Sequence, residues 1–402
     1  MSETLLSVQE LEKYYPIRSG LLRRVTGHVK AVDGVSFEVR EGETFGLVGE
    51  SGCGKSTTAS TLLGLEEPTD GTVTFDGDDV TAFDGREEKR FRRRAQIVFQ
   101  DPNSAFDPRL TVGESVREPL EIHGVTDTER AEAIVADTFE RVGLSSGDVD
   151  RYPHEFSDGQ KQRIALARAL VLNPDLLVAD EPVSALDVSV QAEILTLLED
   201  LQSELNLSVL LISHDLGVVQ QLCDRVGVMY LGRLVERGPT EQVFEDPQHP
   251  YTEALLDSIP EPDPGAAAET VALSGDVPDP SDPPSGCSFH TRCPRVIPPE
   301  EYDFEDGAFR NLLNFRLDVE SDAVDPDLDD ADAIRDEYGL PSELSDEDAQ
   351  AVLQGAIEAV LSGERDTAAE QLSPFETVCE RSEPTLEETD AGHPAACHLH
   401  GN

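Results

Sequence analysis

The sequence predicts an α/β protein built on a parallel β-sheet, and three observations support this fold class. Short β-rich runs alternate with helical stretches from about residue 4 to 240, as they do in repeated β-α-β units. Four of the runs are compact and apolar and end in a polar residue or glycine, as buried parallel strands do. They cover 41–49, 95–100, 175–180 and 207–215. The first leads directly into a glycine-rich loop, so we expect functional groups at the C-terminal ends of these strands.

The remaining elements of the first 240 residues follow from local patterns. Residues 71–77 and the two runs on either side of Gly232 predict outlying antiparallel strands joined by tight turns. The stretch from about 103 to 172 predicts mostly helices. One of them has a capping residue at Thr126 or Asp127 and a terminating glycine, Gly143.

The composition changes after about residue 239. Residues 260–286 are rich in Pro, Asp and Gly and predict a linker or an extended arm. Residues 301–350 hold 18 acidic residues against three arginines, which predicts a solvated or disordered segment. An apolar stripe in 345–372 predicts one amphipathic helix. We therefore predict two domains, 1–259 with a helical subdomain at about 103–172, and 260–402 with an acidic insertion at about 296–373.

The charge excludes one class of function and indicates an environment. The chain has 402 residues with 82 acidic and 31 basic side chains, a formal charge of −51, so most of its surface repels nucleic acid. The one basic run, 86–94, is interpreted as a solvated or internal face.

Only five of the 31 cations are lysines. An acid excess with few lysines suits molar salt, where the Debye length is about 3 Å, so halophily is our hypothesis and an acidic protein with a disordered tail is the alternative.

Membrane insertion and secretion are not indicated. No segment reaches the roughly 18 consecutive apolar residues of a membrane span, and the N-terminus lacks a basic-then-apolar signal, so we predict a cytosolic protein. The six cysteines are too few and too dispersed for a secreted disulfide scaffold. Four of them fall in the C-terminal third and indicate a metal site: Cys287, Cys293, Cys379 and Cys397.

The strongest motif is a phosphate-binding loop that follows the strand 41–49 and matches G-x-x-x-x-G-K-[ST]. The loop and the residue after it are Gly49, Glu50, Ser51, Gly52, Cys53, Gly54, Lys55, Ser56 and Thr57. Backbone N–H groups of such a loop surround phosphate oxygens, Lys55 reaches the β- and γ-phosphates, and Ser56 is a ligand for Mg²⁺.

A pair of carboxylates ends the strand 175–180. Asp180 suits Mg²⁺ coordination, and Glu181 is placed to polarise an attacking water. On its own, an apolar run followed by Asp-Glu is equally compatible with the end of a strand. The preceding phosphate-binding loop favours the catalytic interpretation.

Further motifs resemble those of ATP-binding cassette (ABC) proteins. Residues 156–160 (FSDGQ), followed by KQRIALARAL, resemble the family's signature motif, and 184–187 resemble its D-loop. Gln100 resembles the Q-loop glutamine, His214 the switch histidine, and Tyr15 the aromatic residue that stacks on adenine, with Tyr14 beside it. In isolation, a histidine or tyrosine in such a position more often has a structural role, satisfying loop backbone or covering the core. The occurrence of all these motifs in family order favours the functional interpretation.

The resemblance implies an ABC-type nucleotide-binding domain, which has a RecA-like P-loop core with antiparallel β and helical subdomains. It implies ATP and Mg²⁺ as ligands, with Ser56, Gln100 and Asp180 at the metal. It assigns catalysis to Glu181, His214 and Gln100. Two cassettes are expected to close head to tail, so that the signature of each faces the P-loop of the other. The signature residues expected at ATP are Ser157, Gly159 and Gln160, and Asp158 stands where the family usually has glycine.

The C-terminal part resembles the ATP-binding subunits of dipeptide and oligopeptide importers, as do 30–39 and 246–260. In some members four cysteines hold a [4Fe–4S] cluster. Four thiolates also suit Zn²⁺, and unligated buried cysteines are a further alternative. The third cysteine normally follows the second closely, whereas Cys379 follows Cys293 after 86 residues. A surface insertion can preserve the site because closure entropy grows only logarithmically with loop length.

The sequence therefore predicts a peripheral ATPase subunit at the cytoplasmic face of the membrane, from a halophilic archaeon, that powers the uptake of di- or oligopeptides. Its expected partners are a second cassette, identical or paralogous, two transmembrane permeases and an extracellular solute-binding protein, with no nucleic acid. The alternatives are a soluble non-transport ABC ATPase, an importer of nickel, glutathione or sugars, and a purely regulatory protein.

Overall fold

The computed structural model describes residues 3–20, 23–184, 186–258, 275–305 and 307–400. The chain separates into two compact units, Met1–Asp246 and Pro247–Asn402. The second unit begins before our proposed boundary at 259/260 because Tyr251 packs on Phe289, with ring centroids 5.3 Å apart. Much of the linker predicted at 260–286 lies outside the described residues.

The first unit contains the elements predicted for an α/β core. Its strands are β1 (Thr4–Ser19), β2 (Arg24–Arg40), β3 (Thr44–Val48), β4 (Asp70–Phe75), β5 (Asp78–Asp79), β6 (Ala95–Val98), β7 (Leu176–Asp180), β8 (Ser208–Ser213), β9 (Arg225–Tyr230) and β10 (Arg233–Pro239). Its helices are α1 (Lys55–Leu62), α2 (Gly85–Arg94), α3 (Val112–Ile122), α4 (Thr128–Arg141), α5 (Asp158–Leu170), α6 (Val188–Leu205), α7 (Leu216–Leu222) and α8 (Thr240–Glu245).

Two sheets organise this unit. An antiparallel sheet has the order β2-β1-β4-β5, and the core sheet has the order β10-β9-β3-β8-β7-β6 within the unit. Strands β3, β8, β7 and β6 are parallel, as predicted, and the hairpin around Gly232 pairs β9 and β10 in antiparallel register. The four predicted core strands and the outlying antiparallel strands are thus confirmed.

The parallel strands determine where the functional residues meet. β3, β7 and β8 are buried along their whole length, which explains their uninterrupted apolar sequences. Val48 pairs with Ser213, and Asp180 pairs with Ile212. The chain therefore leaves all three strands at one edge of the sheet, where the glycine-rich loop begins.

The helical stretch at about 103–172 is also confirmed, as α3, α4 and α5. The Asp127 carboxylate accepts a hydrogen bond from the Arg130 amide at 3.0 Å and caps α4. Gly143 follows the end of α4 with φ at +74°, a conformation that glycine adopts without strain.

The second unit contains α9 (Pro250–Asp257), α10 (Ala308–Glu320), α11 (Ala331–Tyr338), α12 (Glu347–Leu361), α13 (Arg365–Leu372), α14 (Val378–Arg381), β11 (Glu387–Glu388) and β12 (Pro394–Ala395). We call α10 to α13, residues 308–372, the inserted bundle. The expectation of a solvated or disordered segment there was wrong. Its apolar side chains form a core despite the acidic composition, and Leu312, Phe315 and Leu353 are fully buried.

The amphipathic helix predicted over 345–372 is two helices. The chain turns between α12 and α13 at Gly363, where φ is +75°. Within the described part of the chain, no helix is both long enough and apolar enough to span a membrane.

Candidate functional site

The loop after β3 requires glycine at two positions. Gly49 and Gly54 have φ values of +152° and +106°. A Cβ atom on Gly49 would lie 2.1 Å from the Met229 carbonyl oxygen, and one on Gly54 would lie 2.0 Å from that of Ala31. The loop is therefore packed tightly against neighbouring backbone, and its shape depends on residues without side chains.

Lys55 is the cation of this loop. Its side chain is buried, and Nζ donates hydrogen bonds to the carbonyl oxygens of Gly49 and Glu50 at 2.8 and 2.9 Å. The Cys53 sulfur lies 3.7 Å from the same Nζ. Burial raises the pKa of Cys53 above its ordinary value although the charge of Lys55 opposes this, so the thiol stays neutral beside the lysine.

Ser56 and Asp180 form a polar pair beside the loop. The Ser56 hydroxyl donates to a carboxylate oxygen of Asp180 at 3.1 Å. Burial raises the pKa of Asp180, with a further contribution from the charge of Glu181, while Ser56 and Lys55 act in the opposite direction. One hydroxyl and one carboxylate suit Mg²⁺, which usually keeps waters and substrate phosphates as its other ligands.

Glu181 is held by the two polar residues that the sequence placed at neighbouring strand ends. Gln100 Nε2 donates to Glu181 Oε2 at 2.7 Å, and His214 Nδ1 lies 3.0 Å from Oε1. The Glu181 amide donates to the Ile212 carbonyl at 2.9 Å, and the residue has φ at +47°, which is strained for a residue with a side chain. The structure thus brings the three predicted catalytic residues into direct contact.

The signature residues form the start of α5. Ser157 caps this helix, with its amide donating to Gln160 Oε1 at 3.0 Å and its hydroxyl accepting from the Gln160 amide at 3.4 Å. A Cβ on Gly159 would lie 2.4 Å from Val190 Cγ1, so glycine permits close packing there. Asp158 forms an ion pair with Lys161 at 3.1 Å, which offsets its negative charge.

Tyr15 lies within β1. Its hydroxyl donates to the Glu66 carboxylate, and Lys13 Nζ lies 5.1 Å from its ring centroid. Burial, with Glu66 contributing, raises the pKa of Tyr15 to about 12. The neighbouring Tyr14 instead bonds the Asp33 carboxylate.

Asp33 is a positioning residue that the sequence reasoning missed. Its carboxylate forms an ion pair with Arg233 at 2.6 Å and another with Lys30 at 3.4 Å. Its amide donates to the Gly232 carbonyl at 2.8 Å, and the Gly232 amide donates to the carbonyl of Cys53 in the phosphate loop at 2.9 Å. Asp33 and Arg233 are far apart in sequence, so no local pattern indicates this link.

Comparisons with known proteins agree with this geometry. A family profile described as ABC transporter matches residues 32–184, and one described as oligopeptide/dipeptide transporter, C-terminal region, matches 235–298. The oligopeptide transport ATP-binding protein AppF of Bacillus subtilis is 49% identical over 299 residues, which cover 74% of this chain and 91% of AppF. A putative peptide import ATP-binding protein of Brucella ovis is 53% identical, covering 74% of this chain and 92% of that protein.

This chain belongs to the family of peptide-type ABC transporter ATP-binding proteins. Solved cassettes have the same fold as this family member. CbiO1 of Clostridium perfringens, part of an ABC transporter complex, is 28% identical with a TM-score of 0.53, covering 61% of this chain and 92% of its own. A dimeric cassette in a post-hydrolysis state with ADP and Pi is 29% identical with a TM-score of 0.52. The match covers 58% of this chain and 98% of that cassette. The predicted cassette fold is confirmed.

The basic run of this ABC protein lies on α2. Arg94 pairs with Asp76 at 2.6 Å and also with Asp175, and Arg92 pairs with Glu88 at 2.5 Å. Phe91 is buried and packs on Phe75 with ring centroids 5.1 Å apart. These contacts support the interpretation of 86–94 as a helix whose charged side chains pair with carboxylates of the same unit at the surface, while Phe91 packs inside.

The four C-terminal cysteines share the second unit. The Cys287 amide donates to the Cys379 carbonyl at 2.7 Å. Burial raises the pKa of both Cys287 and Cys293 to about 12, and the other cysteines of the set, Cys379 and Cys397 included, contribute to each shift. Cys287 and Cys379 are thus in contact through their backbones. Among the described residues, however, no three His, Cys, Asp or Glu side chains are grouped to hold a metal ion.

A further profile, described as a domain of unknown function, matches residues 306–392. It covers the inserted bundle and Cys379. The acidic segment of this chain is thus a recognised sequence unit of its own.

Proposed function

We propose that this protein is the ATP-hydrolysing subunit of a peptide-type ABC importer. The observation that carries the proposal is the contact of Gln100 and His214 with the two oxygens of Glu181, beside the Lys55 loop. Two side chains from separate strand ends converge on one carboxylate at the position where the γ-phosphate of a loop-bound nucleotide is expected. Names of the relatives support transport of oligopeptides.

In this proposal Lys55 and the loop amides bind the β- and γ-phosphates, and Ser56, Asp180 and Gln100 hold Mg²⁺. When bound, the metal would neutralise part of the negative charge of the phosphates. Glu181 orients and polarises the attacking water, while Gln100 and His214 keep its carboxylate in position. Tyr15 packs on the adenine. Its hydrogen bond to Glu66 and the contact of its ring with the Lys13 ammonium hold the ring in place.

A second cassette completes the site. Ser157 is exposed, and Gly159 and Gln160 follow it at the start of α5. We propose that this helix start contacts the γ-phosphate bound by the partner cassette, identical or paralogous. Closure and reopening of the pair would move two permeases that receive cargo from an extracellular solute-binding protein, with this chain peripheral on the cytoplasmic side.

We further propose that Cys287, Cys293, Cys379 and Cys397 bind a [4Fe–4S] cluster, with Zn²⁺ as the competitor. Three observations support this site. All four cysteines lie in the second unit, the backbones of Cys287 and Cys379 are hydrogen-bonded to each other, and the four free thiols are the type of ligand that both metals prefer. Iron and sulfide analysis of anaerobically purified protein tests it. Iron near four atoms per chain is expected, and zinc without iron would contradict the cluster.

The transport function is tested in liposomes that contain the complete complex with its permeases and binding protein. We expect ATP-dependent uptake of labelled trialanine or a labelled hexapeptide, and uptake at least 100-fold lower with Glu181→Gln. Glu132→Gln, an exposed carboxylate change on α4, is the matched control and retains uptake. Uptake of Ni²⁺ in place of peptides would favour the alternative cargo, and ATP hydrolysis without uptake would favour a non-transport ATPase.

A further inference from the structure

The inserted bundle reaches the cysteine site through two arginines of α10. Arg310 and Arg316 stand six residues apart, about 9 Å along the helix axis. Arg310 is half-buried, and Arg316 is only 3% exposed. The bundle interrupts the chain between Cys293 and Cys379, so its contacts decide whether it is an appendage or part of the site.

Arg310 holds the segment that carries the first two cysteines. Its Nη1 donates to the carbonyl oxygen of His290 at 2.8 Å and to that of Cys293 at 3.3 Å, and Nη2 donates to Asn314. Among the described residues, no carboxylate lies within ion-pair distance of Arg310. The Nη1 group of Arg310 is thus bonded to two backbone carbonyls, which fixes the position of the chain at Cys293.

Arg316 holds the segment that carries the third cysteine. Its Nη2 pairs with the Glu380 carboxylate, which is also buried, and its Nε lies 3.1 Å from Glu320. The other oxygen of Glu380 accepts from the Thr377 amide at 2.9 Å, and the Thr377 hydroxyl accepts from the Cys379 amide at 3.2 Å. A continuous set of hydrogen bonds thus runs from α10 to the backbone of Cys379.

The two segments meet directly. In addition to the bond from Cys287 to Cys379, the Thr377 hydroxyl donates to the Ile297 carbonyl. A Cβ on Gly286 would lie 2.4 Å from the Cys379 carbonyl oxygen, so glycine is required where the segments cross. α10 therefore holds both segments at the place where they touch.

We propose that α10 of the inserted bundle is a clamp for the cysteine segments, in which Arg310 and Arg316 are positioning residues that hold the segment of Cys293 and the segment of Cys379 against each other. This gives the domain of unknown function a role. It also explains how 85 intervening residues can separate Cys293 from Cys379, because the intervening chain is itself packed against both segments. The clamp deepens the proposed cysteine site, but its geometry does not depend on a bound metal.

The test measures the accessibility of thiols in reduced, metal-free, full-length protein. Each cysteine is labelled with a maleimide, and its rate is read by mass spectrometry. We expect Arg310→Gln and Arg316→Gln to raise the labelling rates of Cys293 and Cys379 at least tenfold. Cys53 and Cys223, buried in the first unit, are internal references with unchanged rates.

Two control variants separate the clamp from general stability. Arg365→Gln removes a more exposed arginine of the same bundle that pairs with Asp322, and it should label as wild type does. Leu353→Ala opens a cavity in the bundle core and keeps both arginines, and it should lower the melting temperature with no change in labelling of folded protein.

Wild-type labelling rates in both arginine variants would overturn the clamp, as would an equal rise in Leu353→Ala. If Arg316→Gln does not fold, Glu380→Gln weakens the same ion pair from the other side and gives the same readout. The assay involves neither a metal nor ATP, so failure of the proposed cluster or of the proposed ATPase leaves its result unaffected.

Discussion

Two adjacent carboxylates, Asp180 and Glu181, stand in different surroundings that fit different roles. Asp180 is buried beside Ser56, and its pKa is raised chiefly by burial, a cost that a bound divalent cation would offset. Glu181 is oriented by an amide on one oxygen and an imidazole on the other. In the proposed mechanism, environment rather than residue type therefore distinguishes the carboxylate for metal binding from the carboxylate for water activation.

Asp33 gives a prediction for the dependence of stability on pH. Burial raises the pKa of Asp33, but the Tyr14 hydroxyl and the Arg233 guanidinium outweigh it and lower the pKa below its ordinary value. A carboxylate with a lowered folded-state pKa stabilises the protein fully above its unfolded pKa, near 4, and loses this contribution as the pH falls through the folded value.

We expect Asp33→Asn to lower the free energy of unfolding by about 2 kcal/mol at pH 7. Urea denaturation at pH 7, 4 and 3 measures it, and the difference between wild type and variant should shrink toward pH 3. A difference that stays constant over this range would contradict the role of the ion pairs.

Apolar runs in the sequence predicted the elements of the core, because β3, β7 and β8 are buried on both faces and every residue in them is constrained. The glycine-rich loop was predicted for a similar reason, since its spacing follows from phosphate geometry. The contact of Gln100 with Glu181 joins residues 81 apart, and only the strand order brings them together. Their shared edge was predictable, but their hydrogen bond was not.

The inserted bundle was mispredicted because its composition hides its pattern. A net charge of −15 over 301–350 suggests disorder, yet Leu312, Phe315 and Ile334 are fully buried in that range. The link from Arg316 to Glu380 spans 64 residues and has no local signal. A high net negative charge is typical of disordered segments, but acidic helices around a small apolar core have the same composition.

The phosphate loop gives a prediction at the scale of an element. Gly54→Ala places a methyl group against the Ala31 carbonyl and should destabilise the first unit by at least about 3 kcal/mol and abolish ATP binding. Gly64→Ala is the matched control, because Gly64 also has a positive φ but nothing within 4 Å of its added Cβ, and it should cost only about 1 kcal/mol. Thermal unfolding and binding of a fluorescent ATP analogue measure both. Equal losses in the two variants would show that the close contact has no influence.

The charge of the whole molecule predicts a dependence on salt. At −51, repulsion among exposed carboxylates opposes folding, and raising the salt from about 0.1 M to about 1 M shortens the Debye length from about 10 to about 3 Å. We propose that the protein is adapted to high salt, and we expect a melting temperature at least about 10 °C lower in 0.1 M than in 3 M KCl. Sucrose at matched osmolality, which does not screen charge, is the control. Equal melting temperatures in both salt concentrations would refute this adaptation.

Single-turnover hydrolysis of γ-³²P-labelled ATP by the purified protein tests the catalytic site most directly. We expect the wild type and Glu132→Gln to release phosphate at the same rate. Glu181→Gln should bind Mg-ATP as tightly as the wild type but release phosphate at least 100-fold more slowly, because it retains the site and loses only the carboxylate held by Gln100 and His214. Phosphate release by Glu181→Gln at the wild-type rate would contradict the assignment of this carboxylate, and with it the proposed mechanism.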